Sequence, residues 1–522
     1  MERATLFHNG TVLTPTGAAT ALLMQQGRIL ACGPFEQLRQ RTVENTALFD
    51  LQGKTLAPGF IDAHIHLWKV GDLLTFMLDL RGVASIEAMQ DQLADFARRN
   101  PHNPWILARG FNEALFEDGR MPNRFDIDKA VDNRPVQVIR TCAHIAVLNS
   151  KAMERCGIGA HTIVPAGGEI RRGADGVPNG ILSETALGLV RPHLPVYSPE
   201  AYRAMILAAQ AELLRHGITS ATDPAVHPEL LEVYRQMDRA GELNIRIHAI
   251  PIRVPDGDAE ALPLPAWFQS EHLRVDTVKF FADGGLSGKT AALQQPYRNT
   301  DEHGVLRLSF DFFKQCAEAA QAAGFRLATH AIGDRAIDLT MAVYGALASQ
   351  NKAGLRHRIE HLGLPSMEHL QQMRDLGLHC VTQPIFLYEL GQNFRQYLPD
   401  FYLNRVYPYR AVLDAGVNLA FSSDAPVVKN FNPLMGLRNA VERCDRSGVA
   451  IGSSQLIRVG EAWQAYTLGA AAANGDALDR GSLEPGKRAD MVLLDQNPLA
   501  VPMANISDIR VEQTWVAGQP ML

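Results

Sequence analysis

QAAGFRLATHAI, residues 321–332, carries the pattern on which the fold turns. An amphipathic stretch runs up to Gly324, and a short apolar and β-branched run follows at once, ending near His330. Glycine suits the left-handed position that stops a helix, and the run after it reads as a buried strand. The same sentence recurs in LLRHGITSATD (213–223), DRAGELNIRIHAI (238–250), KAGLRHRIEHL (352–362), RDLGLHCVTQP (374–384) and LDAGVNLAFSSD (413–424). Gly217, Gly241, Gly324, Gly354, Gly377 and Gly416 are the punctuation marks. Helices alternating with buried strands predict a parallel α/β sheet. The six runs, with VDTVKFFAD (275–283) and GFIDAHIHL (59–67), make eight strand units, the number of a (β/α)₈ barrel. An open doubly wound sheet is the alternative, but no G-x-G-x-x-G follows a first strand to support its dinucleotide-binding form.

Working outward, two parts stand apart from the repeat. Residues 70–197 are too long for a crossover and hold strand-like runs of their own, PWILARGF and PVQVIRTCAHIAVL, with a glycine-rich loop, AGGEIRRGADGVPNG. They are expected to form an inserted, substrate-covering domain after the first barrel strand. The ends of the chain, 1–57 and 477–522, carry short strands with turn signals and are expected to pair into one small β-sandwich domain. The barrel then comprises 58–69 and 198–476.

Bulk composition excludes several classes. With 46% hydrophobic and 20% charged residues and a net charge of -6, the chain reads as globular, without a basic footprint for nucleic acid or an anionic membrane. No apolar stretch reaches the length of a membrane span. The start, MERATLFHNG, has no apolar signal core, and the six cysteines are too scattered for a disulfide framework. A cytoplasmic location with reduced thiols and a small-molecule substrate is expected.

His64 and His66 lie two apart in a predicted strand, so both side chains are expected to leave one face, at the barrel mouth where active sites of this fold lie. Two neutral imidazoles there suit a divalent cation. A bare H-x-H is more often what a polar loop produces. The reading gains from His330, His361 and Asp424, each at the end of another predicted strand, although each alone also fits a core histidine or a helix cap. Such nitrogen donors favour zinc or a similar first-row metal over magnesium or calcium. Lys279 falls among apolar neighbours; either it reaches solvent along its stem, or burial deprotonates its amine and makes it able to take up carbon dioxide. Trp68 and Phe386 are candidate pocket aromatics.

Taken in order, APGFIDAHIHL, GFNEALF, RTCAHIAVLNSKAM, GGEIRR with GILSETA, VKFFADGGLSGKTAAL, THAIGDRAID, RIEH, YPYRAVLDAGVNLAFSSDAPV, NPLMGLRNAVER and GSLEPGKRADMVLLD resemble the amidohydrolase superfamily, in the branch of the N-substituted formamide deformylases. The resemblance implies that His64, His66 and Asp424 hold one Zn2+, that His330 and His361 hold a second, and that carboxylated Lys279 bridges them. It assigns the proton shuttle to Asp424 and substrate contact to His144, before which Ala143 stands where the family often has glycine. Asp334, in a motif shared by the branch, either touches substrate or caps the next helix. The expected reaction is hydrolysis of a non-peptide carbon–nitrogen bond, in an amide or an N-formyl or N-acyl group, by metal-activated water. A single-metal deaminase of a heterocycle and a barrel scaffold without catalysis are the alternatives. Homodimers are common among such enzymes, and a homodimer is the association the resemblance suggests.

Overall fold

The computed structural model describes residues 4–521 apart from 44, 114–115, 118, 142–144, 166–167 and 256–259. All six punctuating glycines adopt the left-handed region, with φ between 63° and 84°. Five of them follow a helix. At Gly241, Gly324, Gly377 and Gly416 the next residue's amide reaches back to the helix, as in Glu242 N to Met237 O at 2.9 Å and Val417 N to Val412 O at 3.1 Å. That bond satisfies carbonyls the helix leaves open. Gly354 differs: it turns the chain after Asn351, whose carbonyl accepts its amide, rather than closing a helix.

The strands the sequence predicts are β1 (Phe60–Asp62), β2 (Ile218–Val226), β3 (Arg246–Pro251), β4 (Thr277–Phe281), β5 (Arg326–Ala331), β6 (Arg358–His361), β7 (His379–Thr382) and β8 (Asn418–Phe421). β1, β2 and β3 pair in parallel within one five-stranded sheet, completed by Leu273–Val275 and Phe268–Gln269. β4 to β8 form a second five-stranded sheet, parallel throughout and in chain order. Between β3 and β4 there is one parallel bridge, Ile252 to Lys279. Beyond β8 and β1 the backbones meet through Ala63 N to Phe421 O at 3.3 Å and Asp424 N to His64 O at 2.8 Å. Every residue of β3, β6 and β7 is buried, as expected of parallel strands covered on both faces.

The chain's two ends share one sheet. Residues 17–19, 11–14 and 55–58 pair on into 491–494, 511–516 and 519–520, while 28–33, 21–25, 5–8 and 47–50 form a separate four-stranded sheet. Phe7, Val12, Leu22, Leu56, Met491 and Trp515 meet in one core.

The chain divides into two units, Met1–Leu67 with Ala209–Leu522, and Trp68–Ala208. The second has its own six-stranded sheet, ordered 168–172, 178–184, 145–148, 136–140, 106–111, 77–79. Alternation along Trp105–Ala108 sends Ile106 and Ala108 into one core, with Leu93 and Val138, and Trp105 and Leu107 into another, with Leu148 and Leu182. No helix among the described residues is long and apolar enough to cross a membrane.

Candidate metal centre

β1 is shorter than its sequence suggests. It stops at Asp62, so His64 and His66 stand beyond the strand in a segment pinned from both sides. The cause is the buried Asp62 carboxylate, whose Oδ1 accepts the amides of His64 and Ser423, both at 3.1 Å. Ile65 N then bonds Thr222 O at 2.8 Å, and His66 N bonds Ala425 O at 2.9 Å. Burial lifts the Asp62 carboxyl to about 7. The two imidazoles are nearly perpendicular, with centroids 5.7 Å apart. Both nevertheless present Nε2 to Asp424 Oδ1, at 3.5 Å from His64 and 3.3 Å from His66.

Asp424 lies three residues past β8 and His361 closes β6, with φ of 56° and 72°. Left-handed backbone at non-glycine residues costs on the order of 1 kcal/mol or more and persists where surrounding structure imposes it. Here it turns both side chains toward His64. One donor atom from each of His64, His361 and Asp424 lies within 4.8 Å of the others, and all three residues are buried.

Hydrogen bonds fix which ring nitrogen faces the cluster. Gln383 Nε2 donates to Ser422 Oγ, so its Oε1 accepts from His361 Nδ1 at 2.8 Å and leaves His361 Nε2 as the lone-pair atom. His64 Nδ1 donates to the Glu360 carboxylate. His330 Nε2 donates to Gly284 O at 3.0 Å, which leaves Nδ1 as its lone-pair atom; its ring centroid lies 4.5 Å from that of His361. Burial holds the His64 and His361 imidazoles below the usual value, with Lys279 and His330, respectively, the next contributors, so both rings are neutral. Burial pushes the Asp424 carboxyl up, but its neighbours, the close His66 imidazole first, outweigh burial and lower the group below its usual value.

Lys279 is fully buried on β4, and its Nζ has no hydrogen-bond partner among the described residues. It lies 4.9 Å from the centroid of the Phe281 ring. Burial, partly countered by Glu360 and Asp424, brings its amine down to about 8. A buried amine without an acceptor is costly unless it is neutral or modified. Neutral imidazoles, an ionised carboxylate and this orphaned amine suit a divalent cation site.

The cluster lines a cavity of about 210 Å³. Phe281, Leu286, Ile332, Phe386, Phe394 and Tyr407 contribute to its wall, and beyond the histidines and Asp424 no charged residue lines it among the described residues. Phe386 lies parallel to the His361 ring, with centroids 6.1 Å apart.

The model of the amidohydrolase family matches residues 47–522. The chain belongs to the amidohydrolase family. It is accordingly a hydrolase acting on carbon–nitrogen bonds. Among curated relatives, an N-substituted formamide deformylase from Arthrobacter pascens is 28% identical over 97% of this chain and 96% of its own length. Protein LONG AFTER FAR-RED 3 from Arabidopsis thaliana is 30% identical over 99% and 91%. A crystal structure of an uncharacterized metal-dependent hydrolase from Pyrococcus horikoshii superimposes with a TM-score of 0.80 at 26% identity, covering 96% of this chain and 99% of that one.

Within this amidohydrolase, the residues singled out in the sequence separate into groups. His64, His66, His330, His361, Asp424 and Phe386 line the cavity, and Lys279 is buried beside Phe281. Asp334 does not line it. Its carboxylate accepts from Gln294 N, Tyr402 Oη and Arg405 Nη2 at 2.8, 2.7 and 3.0 Å, which ties loops to the start of helix Asp334–Leu347. Asp334 is the first residue of that helix, and the helix has no side-chain cap, so the carboxylate serves as a tether between segments and not as the cap expected from the sequence. Trp68 belongs to the second unit and packs against Tyr202 and Tyr197. His144 lies outside the described residues.

Residue types alone did not single out Glu360, Arg358, Gln383 or Asp283. Asp283 accepts the amides of Ala292, Ile332 and Gly333, at 2.8–3.0 Å, and so shapes the loops beside His330. The available signal was charge on alternate positions of a buried strand: Arg358 and Glu360 in RIEH share a face that packing alone would fill with apolar side chains.

Proposed function

We propose that this amidohydrolase removes an N-formyl or N-acyl group from a small molecule, at a two-zinc site in the mouth of a closed (β/α)₈ barrel. The observation that carries the reading is a buried cluster of oriented donors lining an otherwise apolar cavity. His64, His66 and Asp424 would hold one ion, His330 and His361 the other, with Lys279, carboxylated on Nζ, between them. Ions held there would supply Lewis acidity, lowering the pKa of water and polarising the substrate carbonyl. Asp424, ionised and facing the cluster, would accept the proton of the attacking water on its carboxylate and return it to the leaving nitrogen. The wall from Phe281 to Phe394 suits an uncharged, apolar substituent. A volume of about 210 Å³ is below the usual range for drug-sized ligands, which favours a small one. His144 is proposed as the substrate-contacting histidine on the family resemblance.

The test combines metal analysis with a panel of N-formyl and N-acyl amines. About two zinc-type ions per chain and formate or acid release are expected. Less than one ion, with no activity restored by added zinc, would refute the reading. Lys279→Ala should lose both metal and activity; a variant keeping two ions and full rate would remove the bridge. A single-metal deaminase is the second reading, favoured by the compact His64–His361–Asp424 group, which could hold one ion without Lys279. An intact mass higher by one carbon dioxide at Lys279 separates the two.

A further inference from the structure

We propose that Arg358 and Glu360 act together as the positioning device for His64, an inference that rests on the metal reading above. Both side chains are completely buried, and both belong to β6. Glu360 Oε1 accepts from Arg358 Nε at 2.5 Å, and Oε2 accepts from Arg358 Nη2 at 3.0 Å and from His64 Nδ1. The same Nη2 donates to Ala63 O at 2.6 Å, the carbonyl of the peptide that leads into His64. Arg358 Nη1 donates to Asn474 Oδ1 at 2.9 Å. One guanidinium therefore holds the backbone entering His64 and, through Glu360, its ring.

Planarity explains the choice of residues. The guanidinium offers several donors in a rigid fork, and the carboxylate can only accept, so the pair has one orientation. That orientation puts the proton of His64 on Nδ1 and leaves Nε2 as the lone-pair atom facing the cluster. A buried ion pair adds little to stability compared with a well-packed apolar pair. Its retention beside a ligand histidine is explained by orientation, since a carboxylate on the far nitrogen fixes ring and tautomer.

The test measures zinc affinity of the full chain by competition with a chromogenic chelator, alongside circular dichroism and thermal unfolding. Glu360→Gln brings an amide NH2 against donors on Arg358 or His64, and zinc binding should weaken by about 10- to 100-fold. Glu360→Asp should recover part of that loss. In a His64→Ala background, Glu360→Gln should have no further effect on zinc affinity, an outcome a merely structural role would not give. Should Glu360→Gln fail to fold, Arg358→Lys, which keeps the charge but loses the fork, carries the same expectation of a His64-dependent loss. Unchanged zinc affinity in the folded variant, or an equal loss with and without His64, overturns the proposal. A wild-type chain that takes up no zinc overturns the metal reading and this inference with it, whereas normal wild-type binding with indifferent variants overturns the inference alone.

Discussion

The strands carry histidines at both their beginnings and their ends, and the two sets are wired differently. At the beginnings, His248 meets Asp276 Oδ1 at 2.8 Å through Nε2 and Asn474 Oδ1 at 3.4 Å through Nδ1. His357 accepts the amide of Leu327 on Nδ1 and meets Gln321 Oε1 through Nε2. Both nitrogens of each ring are occupied within the protein. At the ends, His64 and His361 have one nitrogen anchored by Glu360 or Gln383 and the other turned toward Asp424 and the cavity. Burial is common to both sets and identifies neither. What distinguishes the second is half-satisfaction, with left-handed backbone at His361 and Asp424 directing the free half to one point.

The largest expected effect lies at the strand ends. Asp424→Asn preserves the volume but removes the proposed proton acceptor, and kcat should fall by about 10²- to 10⁴-fold, the usual worth of general acid–base catalysis. Thermal unfolding of the variant should stay close to that of the wild type. A variant with near-normal kcat would erase the contrast between the two ends.

The converse holds at the beginnings. The Asp276 carboxylate takes hydrogen bonds from His248 and Arg326 Nη2, at 2.8 and 3.0 Å, and an ion pair from Arg274 at 3.0 Å. Burial raises its pKa, but these cations, Arg326 first, hold it well below the usual carboxylate range. Asp276→Asn leaves two guanidinium groups without their countercharge and should destabilise the fold by about 3 kcal/mol in chemical denaturation. The kcat of the folded fraction should be unchanged. A loss of kcat in folded protein would show that the two ends are coupled, with Asn474, which touches both His248 and Arg358, as the connection.

Much of this was legible in the sequence, and for a physical reason. Glycines at positive φ mark where the chain turns into a strand, so six of the eight strands could be read from them, and the ligand candidates fell at matching positions in the frame. The misreadings have physical causes too. β1 ends early because the Asp62 carboxylate captures the His64 amide, a side-chain-to-backbone bond that periodicity does not report. Asp334 stands close to His330 in sequence yet bonds Tyr402 and Arg405, which lie in and just after the short helix Asp400–Leu403, about seventy residues on. Glu360 and Arg358 escaped notice because the strand alternation of RIEH was read only for its histidine.

His379 is where the comparison is under most strain, and it supplies the smallest expected effect. It begins β7 and is buried, yet neither ring nitrogen has a hydrogen-bond partner among the described residues. Burial, with Arg356, Arg326 and Arg358 adding repulsion, brings its imidazole down to about 3. In the unfolded chain it would titrate near 6.5. Below that pH the unfolded state takes up a proton that the folded state refuses until about 3, so acid favours unfolding. The stability is fully present above 6.5 and is lost as pH falls through that window, by about 1.4 kcal/mol per pH unit at most. His379→Met removes the titration while keeping an apolar, flexible side chain in the space. Its unfolding free energy should match the wild type at pH 7.5 and exceed it at pH 5, with kcat at pH 7.5 unaffected. If the two proteins lost stability in parallel between those values, His379 would be protonated in the folded state. Freedom from partners would then have to be dropped as a mark of neutrality, and the argument for the strand ends would rest on convergence at the cavity alone.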